Sequence, residues 1–119
     1  MGKPDEKLDT IIGKNAFFKG DIKTKGGLRI DGTVEGSIEA TDTFVAGNSA
    51  YIKGNIKCKD AFIGGKIEGN IHSKGKIEIK SGAYLEGDIV CKGLIVEDNV
   101  YFNGRCTMSE KFEREEKQR

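Results

Sequence analysis

The stretch Lys25-Gly26-Gly27-Leu28-Arg29-Ile30-Asp31-Gly32-Thr33-Val34-Glu35-Gly36-Ser37-Ile38-Glu39-Ala40 decides how the chain is read. Taken two residues at a time, it puts Leu28, Ile30, Val34, Ile38 and Ala40 on one side and charges on the other, the pattern of half-buried strands. Gly32 and Gly36 supply turns, so the stretch is one winding of something built from short strands.

Its closing Gly-x-apolar unit recurs along the chain. Copies stand at Gly20-Asp21-Ile22, Gly36-Ser37-Ile38, Gly54-Asn55-Ile56, Gly69-Asn70-Ile71 and Gly87-Asp88-Ile89, with a degenerate sixth at Gly104-Arg105-Cys106. The glycines are separated by 16, 18, 15, 18 and 17 residues. A helical repeat needs two helices and a longer period. A unit of about 17 residues holds three short strands and their corners, as in a parallel β-helix. The fold class expected is therefore all-β, a solenoid of about six windings.

Stacking the copies gives columns that stay apolar. One runs Ile12, Ile30, Ala46, Ile63, Ile79, Val96. A second runs Phe18, Val34, Ile52, Ile67, Leu85, Phe102, and a third Ile22, Ile38, Ile56, Ile71, Ile89, Cys106. A fourth, of smaller side chains, runs Thr24, Ala40, Cys58, Ser73, Cys91, Met108. Alternation along each strand turns these positions inward. In the third winding either Phe44 and Ala46 or Thr43 and Val45 could face the core. Outside, Lys19, Glu35, Lys53 and Glu68 fall on neighbouring windings, as do Lys23, Glu39 and Lys57, so opposite charges are expected to pair across windings. A one-residue slip would bury them all.

Within 119 residues we expect an N-terminal tail over 1–9, a β-helix over 10–108 and a charged tail over 109–119. Corners are expected at Gly47-Asn48-Ser49, Gly64-Gly65, Ser81-Gly82 and Asp98-Asn99. Charged residues make up 33% and hydrophobic ones 36%, enough for a solenoid in which every second side chain meets water. The formal net charge of +1 makes no electrostatic case for nucleic acid or anionic lipid. Residues 1–10 lack the apolar core of a signal peptide, and no 18-residue apolar run spans a membrane, which favours the cytoplasm. Cys58, Cys91 and Cys106 all fall on inward columns. The first two sit two windings apart, about 10 Å, beyond disulfide reach, so buried reduced thiols are expected.

Chemistry-bearing motifs are missing. Gly13-Lys14, Gly65-Lys66 and Gly75-Lys76 are followed by Asn15, Ile67 and Ile77, so no phosphate-cradling Gly-x-x-x-x-Gly-Lys-Ser/Thr is formed. His72 lies between inward Ile71 and Ser73 and should point to solvent. No catalytic, cofactor or metal residues are assigned, and the chain reads as a non-enzyme.

At Gly27-Leu28-Arg29-Ile30-Asp31-Gly32-Thr33-Val34-Glu35-Gly36-Ser37-Ile38, and again over residues 94–108, the chain resembles the bactofilins, a bacterial polymer-forming cytoskeletal family. The resemblance covers residues 10–108. It implies a right-handed triangular β-helix that joins end to end into non-polar filaments without nucleotide. It also implies a scaffold for cell shape, cell-wall remodelling or polar localisation, in the cytoplasm or at the inner face of the membrane. A bulky aromatic of the last winding serves polymerisation in the family, and Phe102 is the matching position. Residues 1–9 do not look like the family's membrane-binding peptide, and its proline-rich flanks are missing.

The residues alone make the same case for a polymer. A β-helix has two open ends with unpaired backbone and bare core. Val96, Val100, Phe102 and Met108 mark the C-terminal end, and Ile12, Phe18 and Ile22 the N-terminal end. The partner expected is a second copy, with a paralogous bactofilin or a cell-wall enzyme as further candidates and no nucleic acid. Ile11, Phe62 and Ile95, with Val45 or Phe44, form one outward row. Tyr51, Tyr84 and Tyr101, with Phe17 in line, form another. Phe62, Ile95, Tyr51 and Tyr84 are thus candidates for lateral contact. The competing reading is a monomeric β-helix module that binds cell-wall carbohydrate or a wall enzyme.

Overall fold

Every regular element in the computed structural model, which describes residues 8–108, is a strand. The expected tails lie outside these residues, except for Leu8 and Asp9, which open the first strand. Winding one comprises β1 (Leu8–Ile12), β2 (Phe17–Lys19) and β3 (Ile22–Thr24); winding two, β4 (Gly27–Ile30), β5 (Thr33–Glu35) and β6 (Ile38–Ala40). Winding three is β7 (Thr43–Ala46), β8 (Tyr51–Lys53) and β9 (Ile56–Cys58), and winding four β10 (Asp60–Ile63), β11 (Lys66–Glu68) and β12 (Ile71–Ser73). Then come β13 (Lys76–Ile79), β14 (Tyr84–Glu86) and β15 (Ile89–Cys91), and last β16 (Gly93–Val96), β17 (Tyr101–Asn103) and β18 (Cys106–Met108).

Each strand pairs in parallel with its equivalent one winding away, giving three six-stranded sheets around one core. A chain cut into strands of three or four residues cannot bury an apolar face within one winding, so stacking supplies the core. The expected columns are the observed ones: Ile12, Ile30 and Ala46 lie in register, as do Phe18, Val34 and Ile52, and Ile22, Ile38 and Ile56. A further inward column, Leu28, Phe44, Ala61, Ile77 and Leu94, lies two residues before the first.

That column settles the third winding. Phe44 pairs with inward Leu28 and Ala61 and is fully buried, whereas Val45 pairs with Arg29 and Phe62 on the outer row. The corners also fall where expected. Gly64-Gly65 joins β10 to β11 directly, and Asn99 turns its corner with φ 61°, a left-handed conformation that asparagine tolerates.

Two expectations need correction. Lys19, Glu35 and Lys53 do lie in register, but among the described residues they form no ion pair. The close pairs run mainly along strands: Arg29–Asp31 at 2.9 Å, Lys80–Glu78 at 2.7 Å and Lys66–Glu68 at 3.6 Å. Residues two apart share a face of the strand, and their long side chains lean together. Cys106 occupies its inward column but is exposed, because no seventh winding covers it among the described residues.

Candidate functional site

The inward columns are closed in the middle of the stack and bare at its C-terminal end. Ile79 is buried, whereas Val96, its partner in the next winding, is 51% exposed. Met108 lies over fully buried Cys91, with the two sulfurs 3.9 Å apart, yet is itself exposed. Phe102 sits over Leu85 and is half-buried, packed on the core together with Leu94 and Val100. The backbone is open as well. In windings one to five the N–H groups equivalent to those of Gly104 and Cys106 donate to carbonyls of the following winding, as Gly87 does to Asn103 at 3.0 Å and Ile89 to Arg105 at 2.7 Å. Winding six has no described successor to accept such bonds.

The N-terminal end repeats the situation with different side chains. Ile12 and Ile22 are half-buried against the core, and Phe18 is exposed. Just outside them, Ile11 at 65% and Phe17 at 64% are the most exposed large apolar side chains described. Ile12, Phe18, Ile22, Val96, Phe102 and Met108 thus terminate the columns assigned to them, and Val100 joins them at the last corner. Leu94 is an end residue that the column reading had not singled out. Its signal was the alternation continuing two residues before Val96.

The side rows are less continuous than the sequence suggests. Phe62 and Val45 are neighbours, but Arg29 and Glu78 separate them from Ile11 and Ile95 in the row Ile11–Arg29–Val45–Phe62–Glu78–Ile95. In the tyrosine row the ammonium of Lys66 stands between two rings, 5.1 Å from the centre of Tyr51 and 5.0 Å from that of Tyr84. Tyr84 and Tyr101 stack face to face, with centroids 4.5 Å apart and planes 7° apart. The ring faces therefore look along the solenoid axis, and the stack is a cation–π and π–π ladder. The Tyr84 hydroxyl donates to Glu86 at 3.0 Å, which pushes its pKa up to about 12.

His72 faces solvent between Lys57 and Val90, and among the described residues no three histidine, cysteine or carboxylate side chains cluster to hold a metal. No described helix is long and apolar enough to cross a membrane. What the geometry defines is a class: a three-sided parallel β-solenoid, without caps among the described residues, that leaves apolar side chains exposed at both described ends. The family model described as bactofilin, polymer-forming cytoskeletal, matches residues 10–107. The chain belongs to the bactofilin family and is a polymer-forming cytoskeletal protein. It is similar in fold to the cryo-EM reconstruction of Thermus thermophilus bactofilin double helical filaments, with a TM-score of 0.74 at 23% identity over 82% of this chain and 96% of that one. No curated protein sequence matches it.

Proposed function

We propose that this bactofilin polymerises end to end through its two open windings, without nucleotide, into non-polar filaments that serve as a cytoplasmic scaffold for cell shape, wall remodelling or polar localisation. One observation carries the reading. The columns that are shut in windings two to five are open at both described ends, where Val96 and Met108 are exposed and Phe102 half-buried on one side, and Ile11, Phe17 and Phe18 are exposed on the other. Burying apolar surface at about 25 cal/mol per Å² favours covering both ends, and a molecule sticky at two ends does not stop at a dimer. The chain's lack of a phosphate-cradling motif supports assembly without nucleotide, and the resemblance to the filament-forming relative supports its geometry. Phe62, partly exposed on the outer row beside buried Val45, is a candidate for lateral contact between filaments.

Sedimentation and negative-stain imaging of the purified chain, with and without added nucleotide, test this. Filaments are expected in both conditions, with no direction visible in averaged images. A chain that stays single at high concentration overturns the reading.

A further inference from the structure

The balanced total charge hides a lopsided surface. Lys59, Lys74 and Lys92 each follow a residue of the fourth inward column, Cys58, Ser73 and Cys91, and so stack on the same edge of successive windings. Strand spacing separates their backbones by about 4.8 Å. Lys57 and His72 are direct neighbours on the adjoining outer face. Together Lys57, Lys59, His72 and Lys74 line an open depression of about 310 Å³, with Cys58 and Ala40 beneath and Glu39 at its rim.

These cations are left unmatched. Among the described residues none of Lys57, Lys59, Lys74 and Lys92 takes part in an ion pair or a side-chain hydrogen bond, whereas Lys66 and Lys80 elsewhere do. Of the nearby carboxylates, Asp60 accepts the Lys76 N–H at 2.9 Å and Asp42 the Thr43 hydroxyl at 3.4 Å, while Glu39, beside Lys57 in the next winding, forms no ion pair with it. Like charges stacked on neighbouring strands are destabilising, so a row of lysines that forms no ion pair with the carboxylates around it is a cost that a bound anion reduces.

We infer that this depression binds a phosphate-bearing ligand with at least two negative charges. Ammonium groups are point charges with rotatable donors, suited to the many oxygens of phosphate, and no arginine fork is present to select a planar carboxylate. No aromatic side chain lines the depression to stack a nucleic-acid base. The same chemistry is offered by a soluble oligophosphate and by a layer of phospholipid headgroups. The inference does not depend on polymerisation.

Two assays on the full chain test it: equilibrium dialysis against tripolyphosphate, and flotation with phosphatidylglycerol–phosphatidylcholine vesicles. Binding is expected in at least one. It should weaken about fivefold for each of Lys59→Gln and Lys74→Gln and stay unchanged in Lys53→Gln, an exposed lysine of the second sheet. Tripolyphosphate binding identifies a soluble ligand; flotation without it identifies headgroups. Binding in neither assay, equal loss in Lys53→Gln, or tighter binding of a single-stranded oligonucleotide than of either probe overturns the inference.

Discussion

The carbonyl oxygen of Gly36 occupies the space that a Cβ on Gly54 would need. The relation repeats up the corner between the second and third sheets, from Gly20 under Gly36 to Gly87 under Gly104. Each of these glycines also has positive φ, 143° at Gly36 and 145° at Gly54. The Gly-x-apolar marker in the sequence is thus steric: the corner is too tight for any side chain and is bent the wrong way for an L-residue.

Gly54→Ala should therefore be costly twice over. Strained φ costs about 1–3 kcal/mol and forcing atoms into a packed site about 1–3 kcal/mol more. Gly20, at the bottom of the stack, shares the positive φ but meets only a Phe18 ring atom at 3.7 Å, so Gly20→Ala should show the first cost alone. Urea unfolding compares the two, best in a variant that does not polymerise, because assembly stabilises the folded state by mass action. Equal losses would show that the contact between glycines is not what fixes the corner.

Such a variant is expected at Phe102. Its ring covers Leu85 and stands at the open C-terminal end. Phe102→Arg places a charge in the proposed junction, where desolvation costs several kcal/mol. About 3 kcal/mol per contact would raise the critical concentration by about two orders of magnitude. Light scattering should show loss of long polymer, while Phe102→Leu, which keeps the surface apolar, should retain it. Filaments of unchanged length in Phe102→Arg would remove Phe102 from the junction.

How much of this could be read from the sequence depended on whether alternation was the deciding force. At Ile30, Val34, Ile38 and their equivalents one parity is apolar and the other charged, so register and core followed directly. At Thr43-Phe44-Val45-Ala46 both parities are apolar or neutral, and only pairing with Leu28 and Ala61 turns Phe44 inward. Val45 is then buried from outside, between Arg29 and Phe62, which no pattern along one strand reveals. The end residues were legible because their columns simply stop. The exposure of Cys106 follows from the same fact, but required asking what lies above the last winding. The lysine edge was invisible to the total charge of +1, which averages over faces that only the stacking separates.

The exposed Cys106 makes the junction chemically testable. Cys58 and Cys91 are buried, and desolvation pushes their thiols up to about 12 and about 11, so neither offers thiolate near neutral pH. An Ellman-type reagent should modify one thiol per chain in the Phe102→Arg variant and three after denaturation. In wild-type filaments the Cys106 reaction should slow, since the end that exposes it is covered. Equal rates in filaments and short species would place the contact away from winding six.

The same two thiols predict an alkaline limit to stability. Their ordinary value is 9.0, and burial raises both, with Asp60 adding to the effect at Cys58. The folded state therefore keeps its protons where the unfolded chain loses them. This contribution is complete below about pH 9 and is lost as pH rises, at about 1.4 kcal/mol per pH unit for each thiol, until Cys91 ionises near 11 and Cys58 near 12. Tyr84, also raised to about 12 by its bond to Glu86, acts in the same direction but lies at the surface, where solvent screens it. Urea midpoints of the Phe102→Arg chain should fall from about pH 8 to about pH 10, and the fall should flatten when Cys58→Ala and Cys91→Ala are added. If the slope survives both substitutions, the surface groups and not the buried thiols set the alkaline limit.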